Sequence, residues 1–194
     1  MGKVIFDITA SVDGFVAGPN DSPENPMGDG GMRLFDWYFS ESETSRSPES
    51  IDPEIRDQAT QTVGALVGGR RLYDNAHGWN GEHPLHVPFF IVTHHPPEVT
   101  GEINGSFVTD GVESAIKQAQ AVAGEKVVAV ASPDIAQQCL KAGLLDEISL
   151  HIVPVLLGGG VRLFDLQDIT PIELECTQAT NAKKVIHMMF RVIK

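Results

Sequence analysis

The sequence predicts an α/β fold in one domain spanning residues 1–194: a mixed, mostly parallel sheet flanked by helices and closed by an antiparallel hairpin. Three observations predict it. Strand-like apolar runs alternate with helix-like segments through the middle of the chain, the order that builds parallel sheets. Residues 127–131 (VVAVA) are apolar without interruption, as in strands buried on both faces. Residues 172–180 and 185–193 are two consecutive strand patterns, and Asn181-Ala182 between them suggests a hairpin turn. With 194 residues the chain can bury one substantial core, and a second independent domain is not expected.

Taken in order, Val4, Phe6, Ile8 and Ala10 alternate with Ile5, Asp7 and Thr9, the period of two of a first strand. It ends at Ser11-Val12-Asp13-Gly14. Residues 19–31 then gather three prolines and three glycines in a long loop, a candidate lid over a site. Phe35, Trp37, Tyr38 and Phe39 are too aromatic to be solvated and form a helix or an irregular wall beside that lid. Residues 40–50 read as a surface loop, and Asp52-Pro53-Glu54 as a helix start. Residues 65–67 are a short buried strand, followed at once by Gly68-Gly69-Arg70-Arg71. Glycine there exposes backbone N–H groups and arginine offers a fixed fork of donors, a pairing suited to a phosphate.

Residues 87–92 (VPFFIV) form a further buried strand ending at Thr93-His94-His95, and 106–109 a short one. Asp110 caps a helix running to about Ala123, with Gly124 at its end. After the VVAVA strand, Ser132-Pro133-Asp134 reads as the cap and first two positions of a helix with Ile135, Ala136, Cys139 and Leu140 on its buried face. Residues 142–164 (AGLLDEISLHIVPVLLGGGVRLF) carry an acidic turn, a strand cut by Pro154, and a triple glycine able to adopt positive φ. In parallel sheets ligands lie beyond the carboxyl ends of the strands. There the segments 11–13, 68–71, 93–95 and 131–134 converge as a nucleotide cradle, with Ala131, Ser132, Asp134 and Ile135 at a helix N-terminus.

Composition limits the function classes. Apolar residues make up 42% and charged residues 21%, an ordinary globular balance, and the net charge of −12 opposes nucleic acid and anionic membranes as partners. The N-terminal stretch is broken by Asp7 and Asp13 and reads as a strand rather than a secretory signal, so a cytoplasmic setting is expected. Cys139 and Cys176 are expected to be small buried side chains. The seven histidines lack metal-ligand spacing, His94-His95 and His83-x-x-His86 being the nearest approaches, so no metal is expected.

SVDGF followed by AG, then ALVGGRRLYD with Trp79 shortly after, FFIVTHHP, and GLLDEISLHIVPVLLGGGVRLF occur in the order and spacing of one family. Over nearly its whole length the chain resembles the reductase domain of bacterial riboflavin biosynthesis, within the dihydrofolate reductase superfamily. The resemblance implies a three-layer fold, NADPH as hydride donor, frequent homodimers, and reduction of a ribosylamino-pyrimidine phosphate or a pterin-like ring. It implies Ala10 and Val16 to Gly18 along the nicotinamide, Gly69, Arg70 and Arg71 at the phosphates, Thr93 and His94 near the adenosine ribose, and Asp13 orienting substrate or relaying a proton. An acid fixing its own turn is the alternative for Asp13. Three stretches depart from the family pattern. Val130, Ala131 and Ser132 replace a glutamate and two glycines, Leu72 replaces a threonine, and His94-His95 stand where an arginine commonly reads the 2′-phosphate. NADH therefore stays open beside NADPH, and a catalytically degenerate binding or scaffold protein is the alternative function.

Overall fold

The computed structural model describes residues 2–39, 53–166, 171–182 and 184–194. In chain order the strands are β1 (Val4–Ser11), β2 (Phe15–Ala17), β3 (Val63–Gly69), β4 (Phe89–Val92), β5 (Gly105–Val108), β6 (Val127–Val130), β7 (Glu147–Val153), β8 (Val161–Arg162), β9 (Leu174–Ala182) and β10 (Val185–Val192). The helices are α1 (Pro53–Thr62), α2 (Arg70–Asn75), α3 (Val112–Ala123) and α4 (Pro133–Lys141).

Eight strands form one sheet in the order β5-β4-β3-β6-β1-β7-β10-β9, and β2 with β8 form a small second sheet. The six strands from β5 to β7 are mutually parallel, while β10 runs antiparallel to both β7 and β9. The α/β fold with a mixed, mostly parallel sheet and a closing hairpin is thus present as the sequence predicts.

Burial explains the layering. Phe6, Ala10, Val67, Val128 and Ile148 on one face of the central strands pack with Ile116 and Ala119 of α3 and Ile135, Ala136 and Cys139 of α4. On the other face Leu66, Phe89, Ile91 and Ala129 meet Tyr73, Trp79 and Phe107. A third cluster joins Leu34, Val153 and Val185, with Phe35 and Trp37 against it. The acidic turn before β7 ties the frame together. Asp146 accepts from the Val4 N–H at 2.9 Å and from Lys194 Nζ at 2.7 Å, so one carboxylate fixes the start of β1 and the chain's end.

Several local expectations are corrected. Asp110 does not cap α3, whose cap position is Gly111 at φ 103°, a conformation a side chain resists. Asn181 and Ala182 lie within β9 rather than in the hairpin turn, since cross-strand pairing continues through Ala182 opposite Val185. Cys139 is buried, with burial pushing its thiol up to about 12, but Cys176 is exposed because both faces of the edge strand β9 are open. The wall after the long loop is a 3-10 turn over Gly31–Phe35 followed by further turns. The expected surface loop at 40–50 and the capping residue Asp52 lie outside the described residues. No described helix is long and apolar enough to cross a membrane.

Candidate functional site

At the carboxyl end of β1 the chain turns on Ser11. Its hydroxyl, fully buried, accepts the Phe15 N–H at 2.9 Å and donates to Asp13 Oδ1 at 2.6 Å. The Asp13 carboxylate also accepts the N–H of Leu157 at 3.1 Å and of Gly158 at 2.7 Å. The Ser11 bond, followed by the two backbone N–H groups, holds its pKa below the usual carboxylate value despite some desolvation. Asp13 is therefore an ionised acceptor that joins the turn after β1 to the triple-glycine turn. A carboxyl held that low is a poor proton donor near neutral pH.

This bond set carries a pH signature. Because the folded pKa is lowered, the contribution of Asp13 to stability is complete above about pH 4 and is lost as pH falls through the folded value. Asp13→Asn should lower the melting temperature at neutral pH, and the gap to wild type should close in acid. Thermal melts from pH 7 to pH 3 read both limbs, and a gap that persists undiminished in acid would contradict the assignment.

The second strand end is built by glycines. Gly69 closes β3 and donates its N–H to Ser132 Oγ at 2.9 Å, so the hydroxyl at the cap position of α4 serves the neighbouring strand instead of its own helix. Asp134 in the first turn of α4 sits over Gly69: a Cβ built there would lie 3.3 and 3.4 Å from its two carboxylate oxygens. The residue is exposed as a whole, yet crowding around its carboxyl makes desolvation the leading effect and raises its pKa, against backbone N–H groups that lower it.

Both arginines are engaged. Arg70 Nε donates to Asp74 Oδ1 at 2.7 Å and its Nη1 to the His95 carbonyl at 2.5 Å, linking α2 to the segment after β4. Arg71 grips Asp21 with both Nε (2.7 Å) and Nη2, and Asn75 Nδ2 donates to the same carboxylate at 3.0 Å. Asp21 belongs to the long loop, so α2 is tied to that loop. The base of that loop is fixed by the Gly18 N–H to the Met27 carbonyl at 2.8 Å. A Cβ at Gly18 would lie 2.0 Å from the Asp29 carbonyl oxygen, so only glycine fits.

All thirteen residues singled out from the sequence lie at or just beyond strand carboxyl ends, but they do not present alike. Arg70, Arg71, Asp134 and His94 offer side chains at the surface, and Thr93 Oγ1 is within 3.2 Å of the His95 N–H. Ala10 and Ile135 are core residues, with only backbone to offer, and Val16 is buried beside them. Ser132 is spent on Gly69, and Ala131 donates its N–H to Val67. Asp21 and Asn75, which complete the Arg71 latch, were missed; a lone acid fifty residues from its arginine carries no local signal.

The profile of the RibD C-terminal domain matches residues 2–188. A putative riboflavin biosynthesis protein from Shewanella sp. PV-4 superposes with a TM-score of 0.69 at 20% identity, covering 100% of both chains. The diaminohydroxyphosphoribosylaminopyrimidine deaminase/5-amino-6-(5-phosphoribosylamino)uracil reductase of Thermotoga maritima gives 0.64 at 11% identity, over 99% of this chain and 57% of that one. Dihydrofolate reductase from Enterococcus faecalis, complexed with NADP(H), gives 0.58 at 12% identity over 100% and 97%. These likenesses are in fold, whereas the profile match extends along almost the whole sequence, and the chain belongs to the RibD C-terminal domain family.

Proposed function

We propose that the chain, acting as one domain in the cytoplasm, is an NAD(P)H-dependent reductase that transfers hydride to a small heteroaromatic substrate. A ribosylamino-pyrimidine phosphate or a pterin-like ring is the substrate class. The observation that carries this reading is the meeting, beyond β3 and β6, of a glycine strand end, two arginines and the N-terminus of α4, whose cap hydroxyl is turned away from its own helix. The N–H groups of Asp134 and Ile135, which face the Asp134 carboxylate here, and the guanidinium donors together suit a diphosphate once that carboxylate moves away.

The residues fit a dinucleotide once one adjustment is made. Gly69 leaves room for close backbone approach, and Asp134, exposed at the helix end, has to turn aside. Arg70 and Arg71 would hold the phosphates, the latter shared with Asp21. Thr93 and His94 would border the adenosine end, where His94-His95 stand in place of the arginine of the family pattern and leave NADH beside NADPH. The bound nicotinamide would supply hydride, and the protein's part is to orient it against the substrate and exclude water. The family's frequent dimers make a homodimer the proposed assembly.

Calorimetric titration with NADPH and with NADH tests this reading, and no binding at millimolar cofactor would overturn it. Arg70→Ala and Arg71→Ala should each weaken binding by about 1–3 kcal/mol, the range for a hydrogen bond to a charged group. Asp21→Asn separates the two roles of Arg71: affinity rises if the freed guanidinium serves a phosphate, and only the melting temperature falls if it merely latches the loop. The second reading, a degenerate binding or scaffold protein, is favoured by Asp134, whose carboxylate faces the place a phosphate would take.

A further inference from the structure

Asp7, Thr9 and Ser11 alternate along one face of β1, and the sheet register sets Ser149 opposite Asp7, His151 opposite Thr9, and His187 opposite His151. The reverse face of β1 and β7 carries Phe6, Ile8, Ala10, Ile148, Leu150 and Ile152, all apolar. A sheet face this polar is ordinarily solvated. Here Thr9, Ser11 and Ser149 are buried, and Trp37 lies across the two imidazoles with its ring 4.9 Å from His151 and 5.0 Å from His187. Polar groups withdrawn from water cost stability unless they are paired, so a polar floor beneath an aromatic roof has to be accounted for.

The pairing is specific. His151 Nδ1 and His187 Nδ1 are 2.7 Å apart, and His151 Nε2 is 3.4 Å from both Asp7 Oδ2 and Ser149 Oγ. Two ring nitrogens at hydrogen-bonding distance share one hydrogen, one donating and one accepting. Asp7 favours the hydrogen on His151 Nε2, so His187 Nδ1 donates to His151 Nδ1 and His187 Nε2 ends the chain. Trp37 Nε1 is buried and finds no acceptor among the described residues, leaving the roof with a donor as well.

We propose that Asp7, His151 and His187 form a proton relay beneath Trp37 that meets the hydrogen-bonding edge of a planar heterocycle, with His187 handing it the proton that accompanies reduction. This rests on the reductase reading. In the step, the Nε2–H bond of the His187 imidazolium breaks and an N–H or O–H bond forms on the heterocycle as that molecule accepts hydride from a reduced nicotinamide. The imidazole keeps the electron pair, and solvent restores the proton. The position is apt: His151 pairs with Thr9, two residues, or about 7 Å, back along the strand from the Ser11 turn.

Among the described residues, the titratable groups facing the pair are Asp7 from β1 and Tyr38 from the segment that supplies Trp37. Burial first, and then Asp7, push the Tyr38 hydroxyl up to about 12, so it stays neutral throughout the working range. Desolvation, followed by His151, lowers the pKa of His187, with Asp7 opposing. His187 is therefore poised on the neutral side, ready to take a proton as an acceptor edge arrives.

The chain has two tryptophans, so Trp79→Phe leaves Trp37 as the reporter beside the imidazoles. Because protonated imidazole quenches indole, Trp37 emission should fall on acidification with a midpoint below about pH 6.5, the ordinary histidine value. Pterin and 5-aminouracil serve as planar probes. At least one should quench Trp37 saturably and move the midpoint upward by about one unit. Adding His187→Gln should weaken that probe at least tenfold and abolish the midpoint shift while calorimetric NADPH affinity stays within twofold. Quenching by neither probe, or equal probe affinity in the His187→Gln protein, would overturn the relay. The pH titration of the Trp79→Phe protein needs no further folded variant, and emission flat from pH 8 to pH 5 would overturn it as well. NADPH binding together with a failed relay leaves the reductase reading intact, whereas lost NADPH binding with probe quenching intact sinks the reductase reading and the reduction step with it, leaving only the heterocycle contact at His187.

Discussion

Asp134→Asn should tighten the binding of NADP+ about tenfold while lowering the melting temperature slightly. The two effects have separate causes. The wild-type carboxylate lies over Gly69, where a diphosphate would meet the strand end and the first turn of α4. Two unit charges about 5.5 Å apart at an effective dielectric near 20 repel by roughly 3 kcal/mol, and salt and the exposure of the residue reduce this. About 1.4 kcal/mol, or tenfold, is what remains. Against that, an acid in the first turn stabilises its helix by about 0.3–1 kcal/mol, which asparagine largely gives up.

The pH dependence carries the same sign. Desolvation raises the pKa of Asp134, so the carboxyl begins to neutralise at higher pH than an ordinary aspartate as the medium is acidified. Wild-type affinity for NADP+ should therefore climb as pH falls through that range, and the Asp134→Asn protein should lack the climb. Titrations at pH 7.5, 6 and 5 with both proteins measure it. Equal affinities at pH 7.5 would mean that no phosphate approaches Gly69.

How far such a site is legible in the sequence depends on whether its contacts are local. The parallel order was readable because each strand's burial is written in its own apolar run, as in residues 127–130. The cap of α4 was readable because serine, proline and aspartate sit consecutively. The roles were not. Ser132 has the composition of a cap, yet its hydroxyl serves Gly69, sixty-three residues away, because β3 and β6 are neighbours in the sheet. Arg71 suggests a phosphate, yet its bidentate partner is Asp21 in a loop whose path no periodicity encodes. His151 and His187 meet only through the register of β7 with β10, and a slip of one residue would have put them on opposite faces. Even the misplaced hairpin turn follows this rule, since asparagine has turn propensity but pairing with β10 holds Asn181 in the strand.

The triple glycine after β7 should yield the largest stability loss, and from only one of its members. Gly160 has φ 119°, and a Cβ there would lie 2.0 Å from the Ala17 carbonyl oxygen and 2.6 Å from the Gly18 carbonyl carbon. Both neighbours are backbone. They cannot retreat without breaking the pairing of Ala17 with Val161 and pulling Gly18 from its bond to Met27. Strain at such a φ costs about 1–3 kcal/mol, and the lost pairing adds a comparable amount, so Gly160→Ala should cost about 3–4 kcal/mol. For a chain of this length that is a fall of roughly 6–16 °C in melting temperature. Gly158 has φ 74° with nothing within 4 Å of a built Cβ, so alanine there should pay only the left-handed penalty of about 1–2 kcal/mol. Gly159 has no positive φ, and its nearest neighbour would be Pro19 Cγ at 3.5 Å, an ordinary contact, so Gly159→Ala should be nearly neutral. Thermal melts of the three variants should therefore rank 160 far below 158, and 158 below 159. Because Gly160 presses on the Ala17-Gly18 base of the long loop, its alanine variant should also bind NADP+ more weakly at temperatures where it is still folded, which the other two should not. A Gly160→Ala protein melting within 2 °C of wild type would mean that β2, β8 and the long loop are not joined through this glycine.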